Sequence, residues 1–225
     1  PALIVYGPQA GQRLWRVAGG MDINGDGYDD LVFTSRLLDP DNEGDVELTH
    51  NHCPANDCGG FGIVYGHTRN DDSIHVVCEP DELFFGNEGN ARLGYSAAPL
   101  GDINNDGCDE FVVGARSEDL GVNNQGTVHV IFGWGKAGCP SEPLQVVLAA
   151  GLSSSNFGWS VDGGEDVTGD TIPDLVIGAP GTSTEGNRVG AAYLVSGAYI
   201  ATLFPGATSA HAAELPTPFP LGDSN

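Results

Sequence analysis

Short apolar runs, most of them bounded by glycine, recur along the chain and alternate with rows of acidic and amide residues. Leu31-Val32-Phe33, Phe111-Val112-Val113-Gly114-Ala115 and Leu175-Val176-Ile177-Gly178-Ala179-Pro180 form one set. Residues 61–66, 126–133 and 190–197 form a second, each ending in glycine. Both sets are rich in β-branched and aromatic residues and are too short for stable helices, so they predict strands. No long stretch rich in Ala, Glu, Lys and Leu is present, so helices should be few. No apolar run approaches the roughly 20 residues of a membrane span, so this chain is not expected to insert in a bilayer.

Each strand of the first set comes after a loop with an oxygen-bearing side chain at every second position. The first loop offers Asp22, Asn24, Asp26, the carbonyl of Tyr28 and Asp30. The second offers Asp102, Asn104, Asp106, the carbonyl of Cys108 and Glu110. The third offers Asp166, Thr168, Asp170, the carbonyl of Ile172 and Asp174. Calcium takes roughly 6–8 hard oxygen ligands in flexible geometry, and a tight loop with donors at positions 1, 3, 5, 7 and 9 can wrap one ion. About three calcium ions per chain are therefore expected. Gly27 and Gly107 supply the turn, and Thr171 takes that place in the third copy. An EF-hand is rejected, because its twelfth position wants Glu and its flanks want helices; Phe33, Val113 and Ile177 stand there instead. Plain β-turns would also use Asp-Gly and Asn-Asp pairs, but three copies in matched surroundings favour the metal reading. The third copy is the weakest, with Thr168 for Asn and Pro173 stiffening the turn.

The surroundings of the loops repeat as well. Leu14-Trp15, Leu93-Gly94-Tyr95-Ser96 and Phe157-Gly158-Trp159-Ser160 precede them. A period of roughly 60 residues with several strands per unit predicts an all-β fold of propeller blades. The units run over about 8–66, 67–133 and 134–197, with a partial unit at 198–225, in a single region covering 1–225. Residues 1–7 read as the closing strand of a neighbouring blade. Pro220-Leu221-Gly222-Asp223 repeats Pro99-Leu100-Gly101-Asp102. The chain is therefore expected to be a piece of a longer array, or to meet other blades or a second copy at its ends. Residues 38–60 are polar and read as a loop insertion.

Charge narrows the function. The chain of 225 residues has 31 Asp+Glu against 8 Lys+Arg and a net charge of −23. Nucleic acid is excluded, since phosphate binding needs clustered cations. Five cysteines leave at least one unpaired within the chain. His50-Asn51-His52-Cys53 with Cys58 could hold zinc, form a Cys53–Cys58 disulfide, or lie in a solvated loop. The spacing matches no standard zinc module, and the disulfide, which suits an oxidising compartment, is preferred. Trp15, Tyr95 and Trp159 stand at matching repeat positions, which favours blade packing over sugar stacking. No catalytic constellation is visible: no Gly-x-Ser-x-Gly, no phosphate-cradling glycine motif, and acidic pairs placed in the metal loops.

These units resemble FG-GAP repeats, the blades of the integrin alpha-subunit β-propeller and its relatives. Phe157-Gly158-Trp159-Ser160 and Val176-Ile177-Gly178-Ala179-Pro180 match the family pattern. The second copy has Leu93 for Phe and Arg116 for Pro. The first lacks the Phe-Gly pair and has Thr34-Ser35-Arg36 in place of Gly-Ala-Pro. The resemblance implies calcium in hairpin loops between blade strands and an extracellular or cell-surface role in adhesion or ligand recognition. The expected function is non-enzymatic binding of a protein or carbohydrate ligand through propeller loops, with residues 38–60 the first loop to suspect. The alternatives are the non-catalytic propeller portion of a secreted, phospholipase-like enzyme, and a structural unit of a surface or matrix assembly.

Overall fold

The structure is a computed structural model that describes residues 2–6, 13–37, 57–68, 74–77, 80–184, 187–204 and 211–214. Strand β1 (Ala2–Val5) pairs in parallel with β5 (Ile74–Val77). The first large sheet contains β2 (Arg16–Met21), β3 (Asp30–Ser35), β4 (Gly60–Val64) and β6 (Glu82–Phe85), antiparallel and in that order. The second contains β7 (Leu93–Gly101), β8 (Glu110–Ala115), β9 (Thr127–Phe132) and β10 (Leu144–Ala149). The third contains β11 (Ser160–Glu165), β12 (Asp174–Ala179) and β15 (Ala191–Val195). A two-residue hairpin of β13 (Ser183–Thr184) and β14 (Asn187–Arg188) lies between β12 and β15. Helix α1 (Gly197–Leu203) comes next, capped by Ser196, and β16 (His211–Glu214) returns to pair in parallel with β10. No helix among the described residues is long and apolar enough to cross a membrane.

Every strand of the first set in the sequence is the second strand of its sheet, and every strand of the second set is the third. The meander is the blade topology that the repeat predicts. The sheets stack face to face, with inner strand β7 packed against β2 and β3 on one side and β11 on the other. Met21, Val32, Phe61 and Ile63 of the first sheet meet Phe111, Val113 and Ile131 of the second. Phe61 lies edge-on to Phe111 at 5.5 Å. The opposite face of the second sheet, with Val112, Val128, Val130 and Phe132, meets Leu175, Ile177 and Val195 of the third. Burial on both faces explains why β8 and β9 are buried throughout, whereas β12 and β15 alternate. The far face of the third sheet exposes Val176 and Leu194.

Each first hairpin carries a one-residue bulge just before its acidic loop. Gly20, Leu100 and Gly164 are left out of the ladder, two positions before Asp22, Asp102 and Asp166. A bulge bends the strand and re-aims the residues beyond it. Its recurrence at the same place turns all three loops the same way.

One polar cluster is buried in the second sheet. His129, only 6% exposed, places Nε2 2.7 Å from Glu118 Oε2 and Nδ1 2.9 Å from Gln145 Oε1. Thr127 also donates to Glu118. Both ring nitrogens face acceptors, which suits imidazolium. Burial alone would lower the His129 pKa, but the Glu118 carboxylate and the two hydrogen bonds raise it. Burial would likewise raise Glu118, and His129 with Thr127 brings it below its usual range. The His contribution to stability is thus full below its unfolded pKa of about 6.5 and is lost as pH rises through the folded value. The Glu contribution is present above about 4.5 and is lost as pH falls. His129→Gln should therefore destabilise the protein more at about pH 5.5 than at about pH 8.5. Denaturant unfolding of both proteins at the two pH values checks this, and an equal loss would contradict the ion pair.

Candidate functional site

The three acidic loops join first and second strands at the same end of the three sheets, and their internal geometry repeats. In the first loop, Asp22 accepts from the backbone N–H groups of Asp26 (2.9 Å) and Gly27 (2.8 Å). Asn24 Oδ1 accepts from Asp26 N (3.0 Å), and Asp26 Oδ1 from Tyr28 N (2.9 Å). In the second loop, Asp102 accepts from Asp106 and Gly107, Asn104 from Asp106, and Asp106 from Cys108. In the third, Asp166 accepts from Gly169, Asp170 and Thr171, and Asp170 from Ile172. Each row of carboxylates thus faces a row of backbone donors, which is how so many acids share one tight turn. The carbonyls of Tyr28, Cys108 and Ile172 take part in none of these contacts.

The ninth position does a different job. Asp30 is 2% exposed, Glu110 0% and Asp174 1%, although each is charged in type. Asp30 accepts from Ile23 N (2.8 Å) and Gly66 N (2.7 Å). Glu110 accepts from Ile103 N (2.9 Å) and, at 3.4 Å, from Gly133 N. Asp174 accepts from Val167 N (2.8 Å), Thr168 N (2.7 Å) and Gly197 N (3.1 Å). One carboxylate therefore ties the start of the loop, the start of the second strand and the end of the third. Burial pushes Asp30 up to about 6, against the pull of its two N–H donors, with Asp26 and Asp22 adding to the rise. Burial pushes Glu110 further, to about 9. For Asp174 the N–H donors outweigh burial and hold it below its usual range, within a loop whose other residues from 165 to 171 are exposed.

The glycines ending the third strands are part of this arrangement, a role that periodicity in the sequence does not reveal. A Cβ on Gly66 would lie 2.3 Å from the Asp29 carbonyl oxygen, on Gly133 2.6 Å from that of Ile23, and on Gly197 1.9 Å from that of Pro173. Only glycine lets the backbone approach the loop closely enough to donate to the ninth-position carboxylate. A matched motif of glycine after each third strand was the available signal.

Neighbouring loops also touch. Asp109 Oδ2 accepts from Asp22 N (2.8 Å), and Asp109 N donates to the Asp22 carbonyl (2.9 Å). Burial raises the Asp109 pKa, and Asp102, Asp22 and Asp29 raise it further. Cys108 is disulfide-bonded to Cys139, pinning the second loop to the turn after β9. Cys58 is also disulfide-bonded; Cys53, expected as its partner, lies outside the described residues, as do His50 and His52. Most of the insertion from 38 to 60 lies outside them too.

Hard oxygens make up the donor set of all three loops, which suits a divalent cation such as calcium. Asp22, Asn24 and Asp26 stay at or near the surface, as do Asp102, Asn104 and Asp106, and Asp166, Thr168 and Asp170. Among the described residues no loop gathers ligand atoms of three carboxylates within 4.8 Å of one another. The one such group of acid, thiol or imidazole residues is Asp106 with Cys108 and Cys139, whose sulfurs are joined and offer no thiolate.

At the other end of the sheets, Trp15, Tyr95 and Trp159 form a ladder, with ring centroids 6.0 Å and 5.0 Å apart. Arg36 lies over Trp15 at 4.0 Å, and Arg116 lies 4.5 Å from Tyr95 and 4.8 Å from Trp159. Sequence matching pairs the three rings correctly, but the interleaved arginines stand at the two places where the repeat pattern is broken.

Two substitutions test the loop geometry. Gly133→Ala should cost about 1–3 kcal/mol in denaturant unfolding, because its Cβ meets the Cβ of disulfide-bonded Cys108 and the carbonyl oxygens of Ile23 and Asp109, none of which can swing away. An unchanged midpoint would refute the close approach. Thr171 has φ +74°, where Gly27 and Gly107 have +91° and +92°. A β-branched residue is strained there, so Thr171→Asn should stabilise by about 1 kcal/mol. A loss of stability would contradict that backbone conformation.

Comparison with known proteins agrees with this architecture. The FG-GAP repeat family matches residues 93–131 and 157–195, each spanning an aromatic rung, an acidic loop and the two strands after it. Integrin alpha-5 of Xenopus laevis is 34% identical over 167 residues, covering 72% of this chain and 14% of that protein. Integrin alpha-PS2 of Drosophila melanogaster is 29% identical over 182 residues, covering 78% of this chain and 12% of that protein. Integrin alpha-IIb of Mus musculus is 29% identical over 179 residues, covering 80% and 16%. The chain thus spans about one-seventh of the length of the curated relatives it matches. The chain contains FG-GAP repeats, at residues 93–131 and 157–195, and is similar in sequence to integrin alpha subunits.

Proposed function

We propose that this chain is a calcium-binding, non-enzymatic adhesion or recognition module that works outside the cell. The observation that carries the reading is the threefold recurrence of one acidic hairpin loop, aimed the same way by one bulge, in a chain that contains FG-GAP repeats. Asp22, Asn24, Asp26 and the Tyr28 carbonyl would hold the first ion, with Asp30 bracing the loop beneath and able to share its oxygens. Asp102, Asn104, Asp106, the Cys108 carbonyl and Glu110 would serve the second. Asp166, Thr168, Asp170, the Ile172 carbonyl and Asp174 would serve the third. The ions would offset carboxylate repulsion within and between loops, where Asp109 and Asp22 already meet. The blades so stiffened would present their opposite loops, including the insertion 38–60, to a protein or carbohydrate ligand. Disulfides suit such a compartment.

Calorimetric titration of calcium into chelator-stripped protein tests this. About three ions per chain should bind, and at 100 times Kd each should add about 2.7 kcal/mol of stability. Asp106→Ala should remove one ion. No heat of binding and an unchanged melting temperature would overturn the calcium reading.

A further inference from the structure

The chain holds seven arginines and one lysine against 31 acids, yet three of these arginines converge. Arg92, Arg116 and Arg188 line a pocket of about 330 Å³ together with Ser117, Asn124 and Asn156. Arg92 precedes β7, Arg116 comes directly after β8, and Arg188 stands in the β13–β14 hairpin. The acidic loop 102–109 joins the opposite ends of β7 and β8. Nine residues of β7 put the two ends roughly 25 Å apart. That is several times the Debye length of about 8 Å, so the loop carboxylates do not neutralise the pocket.

Nor does any nearer carboxylate among the described residues. Among the described residues no carboxylate forms an ion pair with Arg92, Arg116 or Arg188. The Nε atoms of Arg92 and Arg116 are buried without a hydrogen-bond partner. Arg116 Nη1 reaches only the Asn156 amide oxygen, at 3.5 Å. Its guanidinium is held by the rings of Tyr95 and Trp159, which favour a cation but do not cancel its charge. Burial, with Arg92 and Arg36 nearby, lowers its pKa, a sign of crowded and uncompensated positive charge. Buried donors left unpaired are costly, and a guanidinium fork matches the oxygens of a carboxylate or sulfate.

We propose that this pocket binds a compact oxyanion, the sulfate or carboxylate group of an acidic sugar unit. The arginines would take the anionic group, and the amides and hydroxyls of Asn124, Asn156 and Ser117 would take sugar hydroxyls. The limited volume of about 330 Å³ suits a single sugar unit better than an extended acidic peptide, which would need a longer groove. This site is separate from the acidic loops, so its failure leaves the calcium reading untouched, and the converse holds.

The test is a titration of the calcium-loaded protein with glucose 6-sulfate, glucuronate, inorganic sulfate, glucose and a short Asp-rich peptide. Ionic strength is held constant with sodium chloride. Binding is read by calorimetry and by fluorescence, since Trp159 abuts Arg116. At least one acidic sugar should saturate, bind more tightly than inorganic sulfate, and change tryptophan emission, while glucose should not bind. Arg116→Gln should weaken binding about tenfold or more. Arg188→Gln, at an exposed position outside the ring ladder, should weaken it several-fold with an unchanged melting temperature. No saturable binding of either acidic sugar, full affinity in Arg188→Gln, or tighter binding of the peptide would overturn the proposal.

Discussion

A single buried carboxylate at the ninth position of each hairpin loop holds the three sheets in register with their loops. Asp30, Glu110 and Asp174 each accept backbone N–H groups from two distant chain segments. A buried carboxyl group without partners in such a place would be costly, and for Asp174, which its N–H donors hold below the usual range, the bonds are charge-assisted and roughly twice as strong as neutral ones. The chain therefore has to deliver N–H donors, and it does so by ending each third strand in a glycine that packs directly on the loop backbone. Remove the side chain and the donors are orphaned; add a Cβ to the glycine and the donor cannot arrive.

The same arrangement sets the charge distribution. With the ninth carboxylate turned inward, the first, third and fifth positions of each loop stay at the surface and crowd acidity at one end of the sheets. The other end carries the Trp15–Tyr95–Trp159 ladder with Arg36 and Arg116 between its rungs, and Arg92 and Arg188 beside it. Stacked sheets keep the two ends apart, so they can meet partners of opposite charge independently. Aromatic rings allow arginines to sit close together without carboxylates between them.

Much of this was legible in the sequence because it repeats. Asp22, Asp102 and Asp166 mark the loops, and the apolar runs after them are the second and third strands of each sheet. The fourth strands were not legible: Glu82–Phe85 and Leu144–Ala149 share no motif and lie at different distances from their loops. Parallel pairings of β1 with β5 and β10 with β16 join segments far apart in sequence, where local patterning carries no register. The Cys108–Cys139 disulfide spans 31 residues and depends on where the turn after β9 lands. Spacing placed Asp30, Glu110 and Asp174 beside the other loop acids. It could not show that they are buried braces, because burial is set by the neighbouring sheet. Arg36 and Arg116 read as departures from a pattern until the rings beside them were in place.

Amide hydrogen exchange in calcium-free protein tests the brace most directly. If the ninth carboxylates hold the sheets, the N–H groups of Ile23, Ile103, Val167, Gly66 and Gly197 exchange only through global unfolding, as slowly as those of β8 and β9. If they exchange as fast as the surface amides of Asp26 and Asp170, the carboxylates are not holding the loops to the strands, and the account fails.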